Sequence, residues 1–276
     1  LYTHLQPEAR ERPPVTLSTL RQFKQKGEKF AALTAYDASF AARLDLAGVD
    51  VVLVGDSLGM VIQGCDSTVP VTVDDVIYHC RAVARGLRRP MLMADMPFMS
   101  YTDPNVALTN AIRLMQHGGA QMVKLEGNAH QLEVVEHLAS REIPVCAHLG
   151  LRPQSVHKIG GFKVQGRSGD SGEQMIADAR ALQDAGADLV LLECVPSDLG
   201  KRVTDELEVP VIGIGAGPDV DGQILVLYDI LDITPGRKPR FTRNFMDGSE
   251  SIAQAIEAYV NAVHERSYPA PEHCFS

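Results

Sequence analysis

Five acids, one lysine and one histidine stand at the ends of short apolar runs in this chain. They are Asp37, Asp56 (followed by Ser57), Asp95, Lys124 with Glu126, His148 and Glu193. So many carboxylates at equivalent places have no structural purpose, because crowded like charges repel and raise each other's pKa. A bound cation would resolve the conflict. Asp56, Asp95 and Glu126 follow the second, third and fourth apolar runs, and their hard oxygen donors suit Mg²⁺, which keeps several waters and uses few carboxylates. Zinc fits less well, since no HExxH or paired His/Cys spacing accompanies the acids.

Lys124 and Glu126 are two residues apart, so on a strand both point to one face. A lysine there can neutralise a substrate carboxylate, form a Schiff base, or serve only Glu126. Glu193 ends the sixth run, across from the metal-side acids, where it could take a proton from a bound substrate or cap the following helix. His148 could orient substrate, share in proton transfer, or be a satisfied core histidine. The glycines of GIGAG (213–217) resemble a phosphate-cradling loop but do not by themselves imply a phosphorylated ligand.

The elements that carry these residues repeat one theme. LDLAGVDVVLVGD (44–56), LMQHGGAQMVKLEG (114–127) and LQDAGADLVLLEC (182–194) each run from a helix-like stretch through a glycine C-cap into an apolar strand. RRPMLMADMPF (88–98), REIPVCAHLG (141–150) and EVPVIGIGAG (208–217) reach the strand through proline instead. With FAALTAYD (30–37) and ILVLYDIL (224–231) they make eight strands, apolar on both faces as covered parallel strands are. Eight alternating units predict a closed (β/α)₈ TIM barrel, with an open doubly wound sheet as the alternative. SIAQAIEAYVNAVHE (251–265) reads as a C-terminal amphipathic helix and residues 1–20 as an extra N-terminal segment. No linker or composition shift divides the chain, so one catalytic domain over 1–276 is expected.

The chain has 276 residues, 45% hydrophobic and 22% charged, with a formal net charge of −9. That balance disfavours nucleic acid or an anionic membrane as partner, because both reward excess Lys and Arg. The five cysteines, Cys65, Cys80, Cys146, Cys194 and Cys274, show no CxxC spacing, so a reducing cytoplasm is expected. No apolar run reaches the roughly 18 residues of a spanning helix.

Nine segments carry a resemblance: TAYD (34–37), VGDSLGM (54–60), DSTVPVTVDD (66–75), ADMPFMSY (94–101), VKLEG (123–127), HLGLRPQSVHKIGGFKVQGR (148–167), LECVP (192–196), GIGAGPDVDGQILV (213–226) and YPAPEHCF (268–275). In this order, over nearly the whole chain, they resemble the ketopantoate hydroxymethyltransferase family, related to the phosphoenolpyruvate mutase/isocitrate lyase superfamily. The resemblance implies transfer of a one-carbon unit from 5,10-methylenetetrahydrofolate to 3-methyl-2-oxobutanoate, giving 2-dehydropantoate for pantothenate and coenzyme A through a magnesium-stabilised enolate. It implies Asp56 and Asp95 as Mg²⁺ ligands with Glu126 a further contact, and Asp56, Ser57, Asp95, Lys124 and His148 around the oxo acid. Glu193 matches the proton acceptor, and a homodecamer is implied. Arg152 and His157 depart from the pattern, which has threonine and asparagine there. A carbon–carbon lyase of the same superfamily is the alternative.

Overall fold

A computed structural model describes residues 13–161 and 163–276. The N-terminal segment expected over 1–20 lies partly outside that range. Its described part leads into helix α1 (Leu17–Lys26), capped by Thr16. Eight strands follow: β1 (Phe30–Thr34), β2 (Val51–Val54), β3 (Met91–Asp95), β4 (Met122–Glu126), β5 (Val145–Gly150), β6 (Leu189–Glu193), β7 (Val211–Ile214) and β8 (Gly222–Leu225). Every neighbouring pair is parallel, and β1 also pairs with β8, so the sheet closes as the sequence predicts. The eighth strand is shorter than ILVLYDIL suggested: it ends at Leu225, and Leu227–Ile230 turns into a short helix.

Helices on the outside are α2 (Ala38–Ala47), α3 (Leu58–Val61), α4 (Val73–Gly86), α5 (Pro104–Gln116), α6 (Leu132–Ala139), α7 (Val156–Ile159), α8 (Gly169–Asp184), α9 (Ser197–Glu206), α10 (Leu227–Ile230) and α11 (Ile252–His264). Their starts are written in the sequence. Thr72 and Asp75 form a capping box on α4, and Asp103 caps α5 ahead of Pro104, each cap being worth about 1 kcal/mol.

Strand alternation divides the apolar residues into two cores. Leu33, Val52, Ala94, Val123 and Val190 face the helices. Phe30, Ala32, Val51, Leu53, Met91, Met93, Met122, Cys146, Leu189 and Leu191 fill the barrel interior. Val15 and Leu20 join that interior cluster, so the N-terminal segment and α1 plug the barrel at the end where strands begin. The opposite end, where strands finish, is left for the polar residues.

Candidate active site

Continuing the inward parity of each strand past its apolar layer gives the site. Met91 and Met93 lead to Asp95; Met122 leads to Lys124 and Glu126; Cys146 leads to His148; Leu189 and Leu191 lead to Glu193. Register then fixes the neighbours. Asp95 lies beside Lys124, Glu126 beside His148, and Gly150 beside Glu193. Asp56, Ser57, Asp95, Lys124, Glu126, His148 and Glu193 all line one cavity of about 620 Å³. Catalytic residues of barrels collect at this end of the strands.

Asp56 reaches the cavity by a different route, since it lies two residues beyond β2 in the turn before α3. The Asp56 backbone N–H donates to Asp95 Oδ2 at 2.8 Å. Gly55 makes that approach possible, because a Cβ there would stand 3.2 Å from the same oxygen and 3.0 Å from Ser57 Oγ. Ser57 Oγ in turn lies 2.8 Å from the Tyr36 hydroxyl.

The Lys124 ammonium is 2.6 Å from Asp95 Oδ1 and 3.3 Å from His148 Nδ1. Burial alone would lower its pKa, but Asp95, Glu126 and Asp56 outweigh burial and hold it above the usual lysine value. A Schiff-base lysine needs the opposite shift, so the pairing reading of Lys124 is favoured over the aldolase one. His148 is held well below the usual histidine range by burial, then by Lys124 and Arg152. Its neutral ring accepts at Nδ1 from the ammonium, which places the remaining proton on Nε2, 3.3 Å from Glu193 Oε2.

The carboxylates behave as crowded groups should. Burial pushes Asp56 up to about 7, Asp95 adds to the shift, and Lys124 and the hydrogen bond from Gln154 oppose it. Glu126 is raised well above the carboxylate range by burial, only partly offset by Lys124, with Asp56, Asp95 and Glu193 adding. Glu193 rises to about 8 for the same leading reason, opposed by Lys124. Glu126 Oε1 is buried without a hydrogen-bond partner, Asp95 Oδ1 is met only by the Lys124 ammonium, and the carboxylate donors on this side are hard oxygens. The set therefore fits a hard divalent cation. Among the described residues no three His, Cys, Asp or Glu side chains form a ready-made metal cage. Two carboxylates completed by water are the pattern Mg²⁺ takes.

Two strand-end features serve structure instead. Asp37 stays out of the cavity and caps α2, accepting from the Ser39 and Phe40 amides at 2.8 and 2.9 Å. In GIGAG, Gly217 lies against Ser197 and Gly215 against Phe241 and Phe275, so these glycines allow close packing of the C-terminal tail. Glu193 does not cap α9, whose start at Pro196 has no side-chain cap bond. Of the two departures, Arg152 is close enough to depress His148, and His157 is exposed on α7. Residues that sequence reading missed are Gln154, Tyr36, Tyr101 and Thr68; all are uncharged, so no charge pattern could reveal them.

Comparison with known proteins agrees with this geometry. Residues 14–271 match the family model described as ketopantoate hydroxymethyltransferase. A 3-methyl-2-oxobutanoate hydroxymethyltransferase of Alkalilimnicola ehrlichii is 58% identical over 275 residues, covering 100% of this chain and 99% of the relative. That of Nitrosococcus oceani is 59% identical, covering 94% and 98%. Among solved structures, 2,3-dimethylmalate lyase, of the PEP mutase/isocitrate lyase superfamily, aligns with TM-score 0.56 at 19% identity, over 76% of this chain and 80% of that one. Phosphonopyruvate hydrolase in complex with oxalate and Mg²⁺ aligns with TM-score 0.57 at 15% identity, over 76% and 80%. These two establish a shared fold.

Proposed function

The chain belongs to the ketopantoate hydroxymethyltransferase family and is a hydroxymethyltransferase, and from that premise we propose that it moves a one-carbon unit from 5,10-methylenetetrahydrofolate to 3-methyl-2-oxobutanoate, yielding 2-dehydropantoate for pantothenate synthesis. One observation carries the reading: a lysine-paired aspartate and a raised, cavity-facing glutamate line a single chamber, with His148 between Lys124 and Glu193. A 2-oxo acid needs both, a cationic side for its carboxylate and a base for the carbon next to its oxo group.

Asp56 and Asp95 would hold Mg²⁺ directly, with Glu126 reached through water. The ion would supply Lewis acidity that stabilises negative charge on the substrate oxo group. Lys124 holds the substrate carboxylate, and Ser57, fixed by Tyr36, donates beside it. Glu193 takes the proton from C3. Its pKa of about 8 keeps a useful fraction ionised near neutral pH while leaving it basic enough to accept. The C3 electron pair then forms a bond to the methylene carbon of the folate as one bond from that carbon to a folate nitrogen breaks, its electron pair passing to the nitrogen. The second carbon–nitrogen bond breaks next, water supplies the hydroxyl of 2-dehydropantoate, and tetrahydrofolate leaves. His148 Nε2 lies 3.3 Å from Glu193 Oε2 without a hydrogen bond to it, and the neutral ring stands between the base and Lys124. The apolar remainder of the cavity, including Leu151, Leu225 and Phe241, offers a surface for the alkyl part of the oxo acid. Cytoplasmic location and a homodecamer belong to this reading as well; among the described residues no helix is long and apolar enough to cross a membrane.

Purified protein should form 2-dehydropantoate from the two substrates with Mg²⁺ present. Exhaustive chelation should abolish turnover, and adding Mg²⁺ back should restore it. Cleavage of the oxo acid in the absence of folate would point to a lyase instead.

A further inference from the structure

Gln154 lies four residues beyond β5, is 5% exposed, and has every hydrogen-bonding group of its side chain engaged. Its Nε2 donates to Asp56 Oδ2 at 2.8 Å and to the Met96 carbonyl at 3.0 Å. Its Oε1 accepts from the Tyr101 hydroxyl at 2.5 Å. Its backbone N–H donates to Glu126 Oε2 at 3.1 Å, while the Tyr101 oxygen accepts from the Glu126 backbone N–H at 3.3 Å. Rotating the carboxamide by half a turn would set its oxygen against two acceptors and lose the Tyr101 bond, so only one orientation is satisfied. A single buried residue thus ties the turn after β2, the end of β3 and the end of β4.

One oxygen of Asp56 and one of Glu126 are consumed by Gln154, and the other of each is left for the cavity; Glu126 Oε1 is buried with no hydrogen-bond partner. We infer that Gln154, held by Tyr101, is a positioning residue that selects which carboxylate oxygens of Asp56 and Glu126 face the cavity, and so sets the affinity of the site for a divalent cation. The inference rests on the magnesium reading above. Residues that orient ligands from behind usually change metal affinity or activity by about 10–100-fold when removed. Gln154→Leu keeps the bulk of the side chain and removes its donors and acceptor, leaving Asp56 free to rotate. Tyr101→Phe removes the bond that fixes the carboxamide and the longer one accepted from the Glu126 backbone N–H, while leaving the Gln154 side chain in place.

The test is Mg²⁺ titration calorimetry on the wild type and both variants, with the melting temperature of each metal-free protein measured alongside. Gln154→Leu should weaken Mg²⁺ binding about 10–100-fold, and Tyr101→Phe should weaken it by a smaller factor in the same direction. A purely structural role would lower the metal-free melting temperature and leave the Mg²⁺ Kd within twofold of wild type, and that result would overturn the inference. If Gln154→Leu does not fold, Tyr101→Phe decides alone: an unchanged Kd rejects the inference and a raised one supports it. A wild type that takes up no Mg²⁺ would remove the magnesium reading itself and the inference with it, whereas a wild type that binds with unaffected variants removes only the inference.

Discussion

At the scale of the residue, Glu193 is the group on which the chemistry turns. It has no cation of its own, and burial lifts it to about 8. As a base it must be ionised, so below that pKa the ionised fraction falls about tenfold per pH unit. Hydrogen exchange at C3 of 3-methyl-2-oxobutanoate, followed by NMR in metal-free protein, should therefore accelerate with pH and level off near pH 8. With Mg²⁺ bound the plateau should begin at lower pH, because nearby positive charge favours the carboxylate. Glu193→Gln should slow exchange by about 10²–10⁴ while leaving oxo-acid binding nearly intact. A flat profile in the wild type, or undiminished exchange in the variant, would assign the base role elsewhere. His148 is a weaker candidate for it, since burial and the Lys124 charge hold its ring neutral and its Nδ1 lone pair is already directed at the ammonium.

At the scale of the element, the aim of Glu193 depends on the ends of β5 and β6. Cys194, next in sequence, sits at φ 49°, a left-handed conformation that costs a non-glycine residue energy and is tolerated where the surroundings enforce it. Gly150 allows the two strand ends to approach: its φ is +90°, and a Cβ there would lie 2.2 Å from the Glu193 carbonyl oxygen. Gly150→Ala should destabilise the fold by about 1–3 kcal/mol and displace Glu193, lowering kcat. Gly248→Ala, at φ +83° with open space around it, should cost only the backbone strain and leave kcat unchanged. Equal kcat in the two variants would show that the β5–β6 junction does not aim the base. The strands themselves were legible in the sequence because short runs apolar on both faces follow helix-like stretches, and each run ends on a polar residue such as Asp95, Glu126, His148 or Glu193. Asp37 and Asp56 looked alike for the same reason, and only the backbone separates them. The chain turns into α2 directly after Asp37, whose side chain binds the free amides. After Asp56 a turn intervenes and its carboxylate stays in the cavity. Gln154 was illegible because its contacts are made by a loop folding back over two other strand ends, which no local periodicity encodes.

At the scale of the whole molecule, the two ends of the barrel treat charge differently. Asp50, Asp188 and Asp221 each precede a strand at the plugged end, and each has its own cation: Arg89 at 2.7 Å, Arg21 at 2.7 Å and Lys24 at 2.9 Å. At the open end Asp56, Asp95, Glu126 and Glu193 share Lys124. That asymmetry should appear in stability. Asp56 and Glu193 have folded-state pKa values of about 7 and about 8, above the 3.8 and 4.5 they would have unfolded. The folded chain therefore keeps protons that the unfolded chain has released, and this contribution to stability is lost as pH rises through 7 and 8. His148 works in the opposite sense, since its depressed pKa costs stability only below its ordinary value of 6.5. Above about pH 6.5 that opposing contribution has faded, and the metal-free protein should melt at a lower temperature at pH 8.5 than at pH 6.5. Each kcal/mol lost corresponds to about 2–4 °C for a chain of this size class. Asp56→Asn removes one of the charges, so it should melt higher than the wild type at pH 8.5 and show a shallower pH dependence. The gain would come at the expense of turnover, as expected where a site is strained for function. Mg²⁺ should raise the wild-type melting temperature more at pH 8.5 than at pH 6.5, because it binds the ionised carboxylates. Scanning calorimetry at the two pH values, with chelator and then with Mg²⁺, checks all of these signs. A metal-free melting temperature that rises over this interval would mean that Asp56 and Glu193 are relieved by something other than retained protons.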